Sequence, residues 1–199
     1  VSTPFPASLL GKIRRSRLVL NENKASTESM FTRRRQVVSL GAGTSDRWEG
    51  LVETVPLDGT DLRTMWGFLL SVGLFGEITI PDPDYTGPQS GATTGLVQGA
   101  GQSGTSLIVD GVTASALILR TGEYFQVGTG FHAATTDCTA NGSGVVTLNF
   151  KPALRVSPAD DAVVTFNTPV LLARLTSMPD KDTDEDKAGA FTLSFEESL

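Results

Sequence analysis

Thr105–Arg155, TSLIVDGVTASALILRTGEYFQVGTGFHAATTDCTANGSGVVTLNFKPALR, is a run of short apolar segments cut by turn residues. Ser106–Asp110 is apolar and β-branched, and Asp110-Gly111 closes it with a dipeptide common in hairpins. Leu117–Arg120 leads into Thr121-Gly122, after which Glu123–Val127 alternates polar and apolar residues. Asn141-Gly142-Ser143-Gly144 marks a third turn. Beyond it Val146, Leu148 and Phe150 alternate with Val145, Thr147 and Asn149, the period of a strand with one buried face. Strands at this spacing, with no helical period between them, predict a small antiparallel barrel or sandwich.

The flanking sequence differs on each side. Thr86–Gly104 is rich in Gly, Ser, Thr and Gln and predicts a linker or long loop. Upstream, Pro4 and Pro6 mark residues 1–10 as an irregular arm. Ile13–Leu20 alternates as an edge or interface strand would. Asn21–Ser29 reads as a polar loop, with further strands expected over Phe31–Leu40 and Trp48–Val55. One helix stands out: Asp58 or Thr60 caps it, and Leu62, Met65, Trp66, Leu69 and Leu70 form its apolar stripe up to Gly73. Phe75–Ile80 predicts another strand, ended by Pro81-Asp82-Pro83-Asp84-Tyr85. After Phe166-Asn167-Thr168-Pro169, strands are expected over Val170–Thr176 and Phe191–Phe195, with an acidic loop, Pro179–Ala190, between them. Strands on both sides of the central stretch predict a first β domain of residues 1–88 plus 167–199, discontinuous in sequence. Residues 89–166 then form a linker and an inserted small β domain. The fold class is mainly β with one helix.

Composition narrows the function classes. The 199 residues, 39% hydrophobic and 19% charged, suit one good core or two small ones and argue against a disordered chain. No run approaches a membrane span, and VSTPFPASLLGKIRRS lacks the basic-then-apolar layout of a secretion signal. Cys138 is the only cysteine, so no internal disulfide forms. The net charge of −6 hides an asymmetry, because eight of the 16 basic residues lie within the first 35 positions. Arg14, Arg15, Arg17, Arg33, Arg34 and Arg35 make a basic side, and Asp180, Asp182, Asp184, Glu185 and Asp186 an acidic loop. No aromatic residues interleave with the basic side and the whole chain is acidic, which disfavours specific nucleic-acid binding. Complementary subunit faces are the better use of this split, and these eleven residues are the interface candidates.

Motifs with chemistry are few. Gly99-Ala100-Gly101-Gln102-Ser103-Gly104 fits G-x-G-x-x-G, but a glycine-rich loop precedes it and a β-branched segment follows, the reverse of a dinucleotide site. Asp180-x-Asp182-x-Asp184 has the start of a calcium loop without the Gly and Glu an EF-hand needs later. His132 is the only histidine, too few for a triad or a His-rich metal site, and is expected near a module surface. Paired carboxylates remain open to a glycosidase reading, yet no acid lies in a plainly apolar context.

Three stretches carry a resemblance. DRWEGLVETVPLDGTDLRTMWGFLLSVGLFGEITIPDPDY (46–85) gives strand, amphipathic helix and strand ending in a D-P-D-Y step. TGEYFQVG (121–128) and GSGVVTLNFKPALR (142–155) belong to the small β module. From about Arg47 to Met178 the chain resembles the distal tail proteins of long-tailed phages and gene transfer agents. The resemblance implies a tail-tube-like β-sandwich or barrel domain carrying an inserted small antiparallel barrel. It implies a structural virion component at the distal end of the tail, made in the bacterial host cytoplasm, with no catalysis and no cofactor. It further implies a hexameric ring contacting the tail tube protein and the baseplate hub protein, with the tape measure protein as a further neighbour. Two rivals are another ring-forming tail protein, tube or terminator, and a carbohydrate-binding module for host attachment. A binding module should expose several aromatics on one face, whereas Tyr124, Phe125, Phe131, Phe150 and Phe166 are mostly accounted for as core.

Overall fold

The structure, a computed structural model, describes residues 2–22, 24–28, 35–39, 46–74, 76–179 and 188–198, with 24–28 and 35–39 described by backbone only. In chain order the strands are β1 (Thr3–Pro4), β2 (Ile13–Asn21), β3 (Lys24–Glu28), β4 (Arg35–Ser39), β5 (Arg47–Thr54), β6 (Glu77–Pro81), β7 (Thr94–Val97) and β8 (Gly104–Asp110). They continue as β9 (Leu117–Leu119), β10 (Tyr124–Val127), β11 (Gly130–Ala134), β12 (Cys138–Thr139), β13 (Val146–Leu154), β14 (Val163–Thr165), β15 (Val170–Leu175) and β16 (Thr192–Glu197). A short 3-10 helix (Ala7–Lys12) precedes β2, and α1 (Gly59–Val72) lies between β5 and β6.

Six strands form a mixed sheet in the order β1-β6-β15-β16-β5-β2, in which only the β1–β6 pair is parallel. Alternation sets its faces. Trp48, Val52, Leu193, Phe195, Leu171, Ala173, Ile78 and Ile80 point to one side and are buried there. Gly50 belongs to the same row and has no side chain because the Phe195 ring lies over it; a Cβ at residue 50 would come within 2.3 Å of that ring. Helix α1 covers this face with Leu62, Met65, Phe68, Leu69 and Val72, each worth roughly 1.5–3 kcal/mol of transfer free energy. Lys12 and Asp61 pair at 3.4 Å, tying the first turn of α1 to the segment before β2. Gly73 ends the helix, its N–H donating to the Leu69 carbonyl at 2.9 Å.

The second unit is a closed antiparallel barrel in the order β10-β11-β13-β8-β7-β14, with β14 returning to pair with β10. All six strands fall between β6 and β15 in sequence, which are themselves neighbours in the sheet. Its interior holds Leu107, Val109, Phe125, Leu148, Phe150, Val164 and Phe166. The β9–β12 pair packs on this core through Ile118, Leu119 and Cys138. Closure leaves no free strand edge, the liability of open sheets.

Several expectations need correction. The stretch 1–10 is no irregular arm: Phe5 and Leu9 enter the sheet core, and Phe5 meets Phe68 edge-on at 5.6 Å. Their apolar area outweighs the disruption from Pro4 and Pro6, which sit in extended and capping positions. Lys24–Glu28, read as loop, is strand and pairs with β4. Thr94–Val97 is a barrel strand that pairs with β14 and β8, and Val97 buries fully although the stretch is rich in Gly, Ser, Thr and Gln. Asp110-Gly111 does not turn β8 into a hairpin with β9: β8 pairs with β7 and β13, while β9 pairs with β12. On α1 the stripe is rotated, since Leu70 is 63% exposed while Phe68 and Val72 are buried.

Candidate functional site

The interface candidates divide. Arg14, Arg15 and Arg17 lie on β2, whose only strand partner among the described residues is β5, so this nine-residue strand is an edge of the sheet. All three are exposed. Arg15 reaches Glu53 at 3.8 Å, and Arg14 and Arg17 make no ion pair among the described residues. Across the outer face of the sheet, Arg47 pairs with Glu196 at 3.3 Å and Arg174 with Glu77 at 3.0 Å. These exposed pairs set register more than they stabilise. Arg35 begins β4, described by backbone only, and Arg33, Arg34, Asp180, Asp182, Asp184, Glu185 and Asp186 lie outside the described residues. The calcium-loop pattern at Asp180–Asp184 lies outside them too.

A second site, not read from the sequence, is the seam where barrel meets sheet. Phe131 is on β11 but faces away from the barrel, and its ring belongs to the sheet core. Trp48 of β5 meets Phe131 edge-on at 5.6 Å, and its indole N–H donates to the Phe131 carbonyl at 2.8 Å. Tyr124 lies tilted against Phe131 at 5.0 Å and meets Tyr85 edge-on at 5.3 Å. The Tyr85 hydroxyl donates to the carbonyls of Tyr124 and Phe166, and burial pushes its pKa well above the ordinary value.

Beside this aromatic group is a buried ion pair. Glu197 is 3% exposed. Its two oxygens accept from Arg155 of the barrel at 2.5 and 2.8 Å, and one also accepts from the Trp48 backbone N–H at 3.0 Å. Arg155 donates as well to the Asp46 carbonyl. Charge and hydrogen-bonding capacity are both met, the condition for tolerating a buried carboxylate. Gln126 adds a link by accepting from Val170 N–H at 3.0 Å, and Lys151 pairs with Glu22.

His132 is buried inside the barrel, not near a surface as expected, because it shares with Gly130 and Ala134 the inward face of β11. Its ring stacks on Phe125 at 5.3 Å and meets Phe150 edge-on at 4.7 Å. Nδ1 lies 2.9 Å from the Pro152 carbonyl, which fixes the tautomer: Nδ1–H donates, and Nε2 carries the lone pair. Nε2 has no partner. Burial pushes the pKa down to about 4, assisted by the Arg155 charge and opposed by the Pro152 bond, so the ring is neutral at pH 7. Above it a cleft of about 470 Å³ opens at the barrel end, lined by Val127, Gly130, Leu154, Arg155, Pro158 and Ala162 among others.

The remaining motifs are accounted for structurally. Gln102 folds the glycine loop onto its own strand, giving its amide N–H to the Gln98 and Ile108 carbonyls and accepting from Ile108 N–H at 2.6 Å. That loop presents no helix N-terminus to a phosphate. Cys138 is buried and its thiol pKa is raised by burial, which disfavours the reactive thiolate. Phe125, Phe131, Phe150 and Phe166 are core residues and Tyr124 belongs to the seam, so these aromatics form no exposed platform. Among the described residues no group of three or more His, Cys, Asp or Glu is placed to hold a metal, and no helix is long and apolar enough to cross a membrane. No known protein family and no curated protein matches the chain.

Proposed function

We propose that this chain is a structural tail protein, a distal tail component whose copies close a ring between the tail tube and the baseplate hub. The observation that carries this reading is the contrast between the two units. The barrel is closed, while among the described residues the sheet keeps the nine-residue edge β2, studded with Arg14, Arg15 and Arg17. A long open edge is an aggregation hazard unless charge guards it or a partner pairs with it, and a head-to-tail ring supplies that partner in every copy. The seam holds the barrel at a fixed angle to the sheet, as a projecting module on a ring requires. The tail tube protein, hub protein and tape measure protein are the proposed neighbours, and the resemblance of residues 46–85 and 121–155 supplies the copy number of six.

Imaging of assembled tails tests the reading. Six copies of the 21.0 kDa chain are expected in one ring at the distal end. A chain distributed along the tail shaft, or present once per tail, overturns it. Reversing Arg14 and Arg17 to Glu should block assembly and leave the melting temperature within about 2 °C of the parent, since exposed charges away from ion pairs contribute little to folding.

A further inference from the structure

We propose that the open end of the barrel binds a small uncharged molecule with an apolar body and one hydroxyl group, a phenol or a cyclic alcohol, whose O–H donates to Nε2 of His132. The cleft has the volume of a small-molecule site, about 470 Å³, and barrel mouths are a recurrent place for one. Its walls set the ligand class. Val127, Leu154, Pro158 and Ala162 offer apolar surface. The fixed tautomer makes Nε2 an acceptor only, so a group that cannot donate, such as a carboxylate or phosphate dianion, gains nothing there. Arg155 lines the same cleft with its charge directed at Glu197, which disfavours a ligand ammonium.

The unpartnered nitrogen is the sharper argument. A buried acceptor without a donor is rare in folded proteins, and His132 is 2% exposed. The ring gains nothing by turning over, because Nδ1 is held by the Pro152 carbonyl and the ring packs against Phe125 and Phe150. Nε2 lies against Gly130, where a Cβ would come within 2.6 Å of it. Glycine at 130 therefore keeps the nitrogen free of a side chain at the point where the inward row of β11 reaches the cleft. The turn residues Gly128 and Thr129, between β10 and β11, line the same cleft as Gly130 and His132.

His132 is the single histidine, so its ring nitrogens report without ambiguity in a long-range 1H–15N correlation spectrum of the full chain at pH 7. Titration with p-cresol should move the Nε2 resonance saturably. The methyl ether 4-methylanisole, similar in shape but unable to donate, should bind at least about tenfold more weakly. Gly130→Ala should weaken p-cresol binding by blocking Nε2. Ala159→Trp, at an exposed position on the cleft wall, should fill the mouth without disturbing the barrel core and weaken binding by a similar factor. A p-cresol titration without a saturable Nε2 shift, equal binding of the ether, or undiminished binding by the folded Ala159→Trp protein overturns the proposal.

Discussion

Replacing Arg155 with Met leaves the Glu197 carboxylate, with a side chain only 1% exposed, without its cation. Glu197 keeps one donor, the Trp48 N–H at 3.0 Å, and loses two charge-assisted bonds from the guanidinium. Removing one member of such a buried pair typically destabilises by about 3–5 kcal/mol, a large part of a native stability of about 5–15 kcal/mol. For a chain of this length that corresponds to a fall in Tm of about 6–20 °C. In the double variant Arg155→Met, Glu197→Gln the amide oxygen still accepts from Trp48 and no charge is buried. Its stability should return to within about 1–2 kcal/mol of the parent. Urea unfolding followed by Trp48 fluorescence in a Trp66→Phe background measures all three proteins. A single variant within about 1 kcal/mol of the parent, or a double variant as unstable as the single, refutes a buried, mutually dependent Arg155–Glu197 pair.

Two further outcomes follow from burial. The unfolded chain protonates His132 near pH 6.5 and the folded chain only near pH 4, so stability falls as pH drops through that window, by about 3 kcal/mol in all. Unfolding measured from pH 7 to 4 should show a shallower decline in His132→Phe, which keeps a ring between Phe125 and Phe150; equal slopes refute the assignment. Leu69→Ala should cost about 2–5 kcal/mol because Leu69 is fully buried, whereas Leu70→Ala, at 63% exposure, should change the urea midpoint little. Equal losses at the two positions would place α1 the wrong way round.

Much of the fold was legible because its signals are local. Val146, Leu148 and Phe150 alternate as they bury, and Asp58, Leu62, Met65, Leu69 and Gly73 mark the helix before any partner is known. Pairing was not legible in the same way. Asp110-Gly111 is a sound turn signal, but which strand β8 meets depends on burial against β7 and β13, residues distant in sequence. The seam was hidden for a related reason. Phe131 and His132 are adjacent on one strand and so face opposite ways. Which side is the barrel interior, toward Phe125, and which meets Trp48 is set only by the pairing of distant strands. Glu197 reads as one acid among several near the C-terminal end until Arg155 is brought beside it. Its alternation with Leu193 and Phe195 was the available clue, because an acid on the inward face of a strand needs a partner.

The position of β16 governs the order in which this molecule can be completed. It is the last strand along the described chain, yet it occupies the middle of the sheet, between β15 and β5. As the chain emerges from the ribosome, the barrel strands, ending at Thr165, come out before residue 192 does. Until then β5 and β2 on one side, and β6 and β15 on the other, present two half-sheets with raw inner edges and a gap one strand wide. Whatever order the other strands pair in, the two halves of the sheet are joined only when residues 192–197 take their place between β15 and β5.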